Sequence, residues 1–196
     1  MQSCTPPGSA GAKTQKKGSR MIRDVLYFLC MLAAVLSTKH FLFEPVRVKG
    51  SSMRPALSSG DWLFVSKLDY RLGDPARGDV VICHYPGRYA DRWKLVRQYF
   101  VKRVIGLPGD TIAIAEGVVF INGEVLEERW LDESGRRSRR SMPERTLGPD
   151  EYFVMGDNRI SSNDSRNIGP LKRSMIVGRV RRVVFPIRSR KRFTDR

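Results

Sequence analysis

Histidine is scarce in this chain, which has only His40 and His84 among its 196 residues. A serine nucleophile needs a base to take its proton, and histidine is the side chain most often used for that task. A Ser-His-Asp triad would have to use one of these two histidines. The scarcity therefore favours a lysine as the base for any candidate serine nucleophile.

Cysteine is also scarce, and its spacing excludes the usual cysteine-based frameworks. Cys4 lies in a polar leader, Cys30 in an apolar segment and Cys83 in a predicted strand, and the sequence has no C-x-x-C pair. Too few cysteines and histidines cluster to form a zinc site, and a chain of this length needs no disulfide. We therefore expect no disulfide, no metal and no cofactor.

Acidic residues are too few to balance the basic ones, since 20 Asp and Glu face 36 Lys and Arg and the formal net charge is +16. Such a surplus indicates an anionic partner, either nucleic acid or an anionic lipid surface. The cations collect before an apolar segment, in one loop and in the C-terminal tail. They are Lys13, Lys16, Lys17, Arg20 and Arg23, then Arg136, Arg137, Arg139 and Arg140, then Arg188, Arg190, Lys191, Arg192 and Arg196.

This distribution favours lipid headgroups, although a solvated basic face explains the loop cluster equally well. The basic stretches contain few aromatic residues and no nucleic-acid-binding motif, so we expect no nucleic-acid partner.

The N-terminal part of the chain divides into a polar leader and one long apolar segment. Residues 1–20 are rich in Gly, Ser, Thr, Pro and Lys and predict a disordered basic leader. Residues 25–36 are uninterrupted apolar sequence, and extension to Phe43 gives about the 20 residues of a bilayer span. We therefore expect a transmembrane signal anchor over 21–43, and the cations before it predict a cytoplasmic N-terminus. The rest of the chain would face outward.

Two other interpretations of the apolar segment are weaker. A cleaved secretory signal would need small residues two apart after the apolar stretch, and the sequence from Leu36 to Phe41 lacks them. A buried core helix would not usually follow five uncompensated cations.

The remaining sequence predicts a mainly β domain over residues 44–187. Strands are expected at 62–68, 79–83, 98–107, 152–155 and 176–187, and a hairpin at 118–126 turns at Asn122-Gly123. No long amphipathic helix follows the anchor, so we expect a small barrel or sandwich. Residues from about 126 to 145 are polar and poorly periodic, which indicates a small inserted lobe, and residues 188–196 form a basic tail.

Ser52 and Lys102 are the first candidate catalytic pair. Ser52 follows Gly50 and precedes Pro55, which predicts extended backbone at Arg54. Lys102 lies in a predicted strand where Phe100 shares its face. An ammonium among apolar neighbours has a lowered pKa, so a neutral lysine can serve as the base for a serine. A polar loop and an ordinary exposed lysine are the alternatives.

A third candidate segment runs from Gly156 to Arg166. Its Gly, Asn, Asp and Ser residues predict turns held by side-chain to backbone bonds. Asp164 and Arg166 are two residues apart and can form an ion pair. A well-ordered surface loop or a calcium site is the alternative, but Arg159 and the spacing argue against calcium.

Taken together, these stretches resemble the type I signal peptidase family, the membrane-anchored Ser/Lys proteases that remove signal peptides from exported proteins. The resemblance covers roughly residues 22–185 and rests on four motifs in matching order. They are Gly50–Leu57 with Gly60-Asp61, Arg77–Val81, Phe100–Asp110 and Gly156–Arg166. The resemblance implies a bacterial cytoplasmic membrane location, with the peptidase domain on the outer side.

The resemblance also implies roles for individual residues. Ser52 would be the nucleophile, Lys102 the general base and Ser162 the hydroxyl that orients the lysine. Asp164 and Arg166 would support the site, and Gly156-Asp157-Asn158 would form the structural turn before it. The Ser52 backbone N–H would be one oxyanion donor. Some members carry a hydroxyl two positions before the nucleophile, where this chain has Gly50, so the second donor stays unassigned.

For the substrate, the resemblance implies an extended peptide added to a sheet edge, with small side chains entering shallow pockets. The candidate liners are Val48, Met53, Leu57, Phe100 and Val101, and ordinary core packing is the alternative for each of them. The predicted partners are preproteins that carry signal peptides, together with anionic membrane lipid.

Three rival functions remain at this point. A self-cleaving Ser/Lys repressor would need an N-terminal DNA-binding domain, and this chain has the apolar segment there instead. A peptidase of the same family that serves one specialised pathway is compatible with every motif. A noncatalytic basic module on the membrane surface is allowed by the charge, but it gives no reason for Ser52, Lys102 and Ser162 to occur together.

Overall fold

The computed structural model describes residues 12–41, 43–89, 97–133 and 135–186. Two compact units divide the chain after Phe41. The first contains one helix, α1, which spans Ala12–Phe41. No helix among these described residues is both long enough and apolar enough to cross a membrane.

Helix α1 differs at both ends from the sequence-based expectation. Residues 12–20 were expected to be disordered, yet they are helical, in keeping with the strong helix propensity of Ala, Lys and Gln there. At the other end the helix stops at Phe41, and Phe43 already belongs to a strand. Residues 1–11 of the predicted leader and the predicted tail 188–196 lie outside the described residues.

The second unit contains two antiparallel sheets and two short helices. The strands are β1 Phe43–Arg47, β2 Trp62–Ser66, β3 Val80–Tyr89, β4 Arg97–Gly106, β5 Thr111–Ala115, β6 Val118–Ile121, β7 Glu124–Val125, β8 Met142–Thr146, β9 Glu151–Met155, β10 Leu171–Lys172 and β11 Ile176–Phe185. The larger sheet has the order β1-β2-β11-β3-β4-β9-β10, and the smaller one β7-β6-β5-β8. The helices are α2 Asp69–Leu72 and α3 Ser165–Ile168.

The prediction of a mainly β domain is confirmed, but of the two predicted forms, barrel or sandwich, a closed barrel is not found in the described residues. Within the described residues both sheets are open, because each strand order has two edge strands. The hairpin turn at Asn122-Gly123 is confirmed, since both residues have positive φ (53° and 84°) and Ile121 pairs with Glu124.

The predicted inserted lobe is more ordered than its polar sequence indicates. Strand β8 lies inside it and pairs with β5, with Arg145 opposite Ile112. Its sequence, Met-Pro-Glu-Arg-Thr, is mostly exposed and lacks the apolar alternation that marks a half-buried strand. Cross-strand pairing with β5, rather than local sequence, therefore makes this segment a strand.

Strand β4 carries the candidate base into the interior of the second unit. Val104 belongs to an apolar cluster with Val81, Tyr85 and Val154, and Phe100 packs against the same cluster. Because side chains alternate along a strand, Lys102 lies on this face too. The predicted environment of Lys102 is confirmed.

Candidate active site

Lys102 is almost fully buried, with 2% of its surface exposed. Its Nζ donates a hydrogen bond to Ser162 Oγ at 3.0 Å. Burial lowers the pKa of Lys102, while the nearby Asp164 carboxylate and Cys83 act in the opposite direction. Since burial has the largest effect, Lys102 loses its proton more readily than a lysine in water.

Asp164 stands behind the Ser162 hydroxyl and is itself fully buried. Arg166 donates to both of its carboxylate oxygens at 2.9 Å, and the Gly156 N–H donates to Oδ2 at 2.9 Å. Burial raises the pKa of Asp164, but the Arg166 ion pair and hydrogen bonds from Gly156 and Ser162 together lower it. Asp164 is therefore a carboxylate that fixes the segment carrying Ser162.

Ser52 lies in a tight turn rather than in extended backbone. The Arg54 N–H donates to Ser51 O at 3.1 Å and the Leu57 N–H to Met53 O at 2.8 Å, so the chain turns here, where an extended segment was predicted. The Arg54–Pro55 peptide bond is cis, which a prediction from trans geometry does not anticipate. The turn leaves Ser52 partly exposed.

Asn158 connects the Ser52 turn to the third motif. Its backbone N–H donates to Ser52 O at 3.0 Å, and its side-chain Nδ2 donates to Ser51 O at 3.2 Å. Asn158 Oδ1 in turn accepts from the Ser161 N–H at 3.2 Å. Two segments more than 100 residues apart in sequence are thus held together by one asparagine.

Gly156 is where the candidate residues converge. A Cβ built on it would lie closer than 3.0 Å to Ser162 Oγ and to Ser52 O. Only a residue without a side chain leaves room for both groups. The structure therefore brings the backbone carbonyl of Ser52 and the Ser162 hydroxyl, which accepts a hydrogen bond from Lys102 Nζ, together around Gly156.

Asp157 has a buried partner that the sequence analysis missed. Arg103 Nε and Nη2 donate to its two carboxylate oxygens at 2.8 and 2.7 Å, and the Arg103 guanidinium lies 4.9 Å from the centroid of the Trp130 ring. Arg103 lies within the Phe100–Asp110 motif, but nothing in the sequence indicates that it pairs with Asp157. With Asp157 and Asp164 both paired to arginines, the calcium alternative loses its ligands.

The candidate substrate liners fall into two groups. Val48, Met53 and Leu57 are buried in one apolar cluster with exposures of 5%, 2% and 0%. Val101 packs against the same cluster but is only partly buried, and Phe100 is also partly buried. Among the five, Phe100 and Val101 thus have side-chain surface available to a ligand.

Gly50 has a φ of +99°, which L side chains rarely adopt. The backbone conformation before Ser52 therefore requires glycine, so residue 50 has no hydroxyl to offer. Across the described residues, no group of three or more His, Cys, Asp and Glu side chains is arranged to hold a metal ion.

Comparison with known proteins agrees with these motifs. Residues 21–185 match the sequence model of the family described as signal peptidase, peptidase S26. The chain belongs to the signal peptidase family. Members of this family named signal peptidase I P, from Bacillus subtilis subsp. natto, and signal peptidase I T, from Bacillus subtilis (strain 168), are both 38% identical to it. The first match covers 89% of this chain and 95% of the relative, and the second 81% of each.

A solved structure of a signal peptidase I from Enterococcus faecalis V583 is 29% identical, with a TM-score of 0.44, and covers 55% of this chain and 97% of its own. As a member of peptidase family S26, this chain is a serine endopeptidase.

Proposed function

We propose that this chain removes N-terminal signal peptides from exported preproteins, with Ser52 as nucleophile and Lys102 as general base. The observation that carries the proposal is the buried Lys102, whose pKa is lowered by burial and whose Nζ is 3.0 Å from Ser162 Oγ. A buried lysine without a carboxylate partner lowers the stability of the fold, because burying a charged amine is costly. Its position is therefore better explained by catalysis than by folding.

The chemistry follows from a neutral Lys102. Its Nζ takes the proton of Ser52 Oγ while Oγ attacks the scissile carbonyl carbon, and the resulting oxyanion accepts a hydrogen bond from the Ser52 N–H. The protonated lysine then gives its proton to the leaving amine as the peptide C–N bond breaks. A water molecule, deprotonated by Lys102, hydrolyses the acyl-serine and regenerates both residues.

Ser162, Asp164 and Arg166 are proposed to orient the base rather than to react. The Ser162 hydroxyl receives an N–H of Lys102 and hydrogen-bonds to Asp164. Arg166 keeps Asp164 ionised, so the hydroxyl has one preferred direction. A fixed hydroxyl leaves the lysine lone pair free to point toward Ser52.

An unpaired stretch of β4 supports the proposed mode of substrate binding. Strand β9 pairs with β4 only from Arg103 to Gly106, and residues 97–102 have no partner strand on that side among the described residues. An extended signal peptide could add there as a strand and end next to Lys102. We propose that Phe100 and Val101 contact its small side chains, over a floor formed by the buried Val48, Met53 and Leu57.

We further propose that α1 attaches the enzyme to the bacterial cytoplasmic membrane, with the N-terminus cytoplasmic and the peptidase domain on the outer side. Large apolar side chains between Met21 and Val35 are exposed. Four cations precede this stretch in sequence, and Arg23 lies within it. Anionic headgroups would attract these cations. Lipid embedding of the apolar part of α1 would cover this exposed surface.

The direct test compares cleavage of a secretory preprotein, after a small-x-small sequence, by the detergent-solubilised wild type and by Ser52→Ala and Lys102→Ala. We expect both variants to lose cleavage. Ser174→Ala and Lys172→Ala are matched controls, because both side chains are exposed, and they should cleave at the wild-type rate. Cleavage that persists in both active-site variants would overturn the assignment of Ser52 and Lys102, whereas a wild type that does not cleave would favour the noncatalytic surface module. A panel of unrelated preproteins separates a general peptidase from a specialised one.

A further inference from the structure

We propose that Glu128, in the inserted lobe, is a positioning residue of the Ser52/Lys102 pair and acts through Arg159. The inference rests on the proposed function. It concerns a carboxylate that belongs to none of the four motifs and that carries no obvious signal in the sequence.

Glu128 and Arg159 form a buried two-point ion pair. Their exposures are 9% and 4%, and the Arg159 guanidinium donates from Nη1 to Glu128 Oε2 at 3.0 Å and from Nη2 to Oε1. Two parallel bonds from a planar guanidinium fix its orientation as well as its position. Arg159 is therefore held in one geometry by a residue 31 positions earlier in the chain.

Arg159 uses its remaining groups on the candidate active site. Its Nε donates to Gly156 O at 3.1 Å, and its own carbonyl accepts from Arg166 Nη1 at 2.8 Å. Gly156 is in turn packed against Ser52 O and Ser162 Oγ. A shift of Arg159 would thus displace the glycine that separates the nucleophile turn from the lysine-orienting serine.

The lobe segment around Glu128 is itself well anchored. Leu126 and Trp130 pack against an apolar cluster formed by β4, β5, β6 and β9, and the Leu131 N–H donates to Glu128 O at 3.2 Å. Trp130 also lies against the guanidinium of Arg103. Since Arg103 binds Asp157, one lobe segment reaches both Gly156 and Asp157 through arginines. This arrangement gives the inserted lobe a catalytic purpose beyond packing.

Glu128→Gln would leave a buried arginine with an uncompensated charge, and the guanidinium would be expected to move. A misplacement of about 1 Å near reacting groups costs on the order of 100-fold in rate. We expect kcat for preprotein cleavage to fall about 10- to 100-fold, with KM within about threefold of wild type. Glu127→Gln is the matched control, because Glu127 is an exposed neighbour paired only to the exposed Arg129, and it should leave kcat unchanged.

Two further variants separate positioning from stability. Arg159→Lys keeps a cation for Glu128 but loses the two-point geometry and the Nε bond to Gly156 O, so kcat per folded molecule should fall, with the folded fraction measured on the same sample. Replacing the pair by Glu128→Met with Arg159→Met removes both buried charges and often preserves folding. This double variant should fold and remain slow.

A double-mutant cycle between Glu128 and Ser162 separates a positioning role from a purely structural one. A purely structural role would give the same loss of kcat with and without the Ser162 hydroxyl. In a Ser162→Ala background the lysine-orienting hydroxyl is already absent, so Glu128→Gln should cost at most about threefold. An equal fold-loss in both backgrounds would overturn the inference, as would wild-type kcat in Glu128→Gln. Ser52→Ala serves as the reference for the proposed function itself: if it stays active the function fails, whereas if it is inactive and Glu128→Gln is fully active only the inference fails.

Discussion

The replacement Gly156→Ala adds one carbon atom at the point where Ser52 and Ser162 approach each other, and so tests whether catalysis needs that close approach. The added Cβ would lie closer than 3.0 Å to Ser162 Oγ, Ser162 Cβ and Ser52 O. One of these atoms belongs to the backbone of the nucleophile turn, so the clash cannot be relieved by a side-chain rotation alone. Overpacking of this kind costs roughly 1–3 kcal/mol of stability, and a displacement of about 1 Å at the reacting groups costs about 100-fold in rate.

We therefore expect Gly156→Ala to fold, with kcat for preprotein cleavage reduced about 100-fold. Steady-state cleavage with a chemical-denaturation curve on the same sample separates the two effects. Gly73→Ala is the control, since the nearest atom to its Cβ would be Asp69 O at 3.6 Å, and it should match wild type. A Gly156→Ala enzyme with kcat within threefold of wild type would show that the close approach of Ser52 and Ser162 is not required.

Four other predictions rest on the contacts around the site. Asp164→Asn should lower the free energy of unfolding by about 3–5 kcal/mol because it breaks a buried ion pair, whereas Asp74→Asn, on an exposed aspartate, should cost under about 1 kcal/mol; equal effects in denaturant titrations would contradict this. Because the folded-state pKa of Asp164 is lowered, its stabilisation is present above the pKa of an unfolded aspartate, about 4, and should be lost as pH falls below it. The value of kcat/KM should fall as pH falls through the lowered pKa of Lys102, since a protonated amine cannot accept the serine proton; a rate independent of pH would exclude lysine as the base. Asn158→Ala removes the side-chain bonds to Ser51 O and the Ser161 N–H and should reduce kcat up to about 30-fold at about 1 kcal/mol per bond; an unchanged kcat would mean that the backbone bond alone holds the turn.

The parts of the site that could be predicted from sequence are those with a local signal. Ser52 stands in a glycine- and proline-marked turn, Lys102 alternates with apolar residues on a strand, and Ser162 lies in a turn-rich loop. Each of these signals depends on neighbours within a few positions. The structure brings Lys102 and Ser162 into contact across 60 residues, and the family resemblance rather than any local pattern anticipated that contact.

The supporting residues that were missed have no such local signal. Arg103 and Arg159 lie within two of the motifs, but their partners Asp157 and Glu128 lie 54 and 31 residues away, so the pairings have no local signal. Burial turns these into paired ions, and burial of a charged residue cannot be derived from charge patterning. The same limit explains why the lobe around Glu128 was predicted as a mere surface insertion.

The fold shows the same division. Strands with a short continuous apolar run, such as β2 and β9, were predicted close to their observed bounds. Strand β8 was not, because its residues are held by pairing with β5 rather than by an apolar face. The open edges of both sheets also depend on long-range strand order, which local patterns do not specify.

The central claim is that Lys102 is neutral when it takes the proton of Ser52. The measurement that tests it most directly is an NMR titration of the Lys102 side chain in isotope-labelled enzyme, with Lys102→Arg used to assign the signal. We predict a midpoint well below the ordinary range of lysine that coincides with the acidic limb of kcat/KM. A midpoint in the ordinary lysine range would contradict the account, because Lys102 would then be protonated and unable to act as the base.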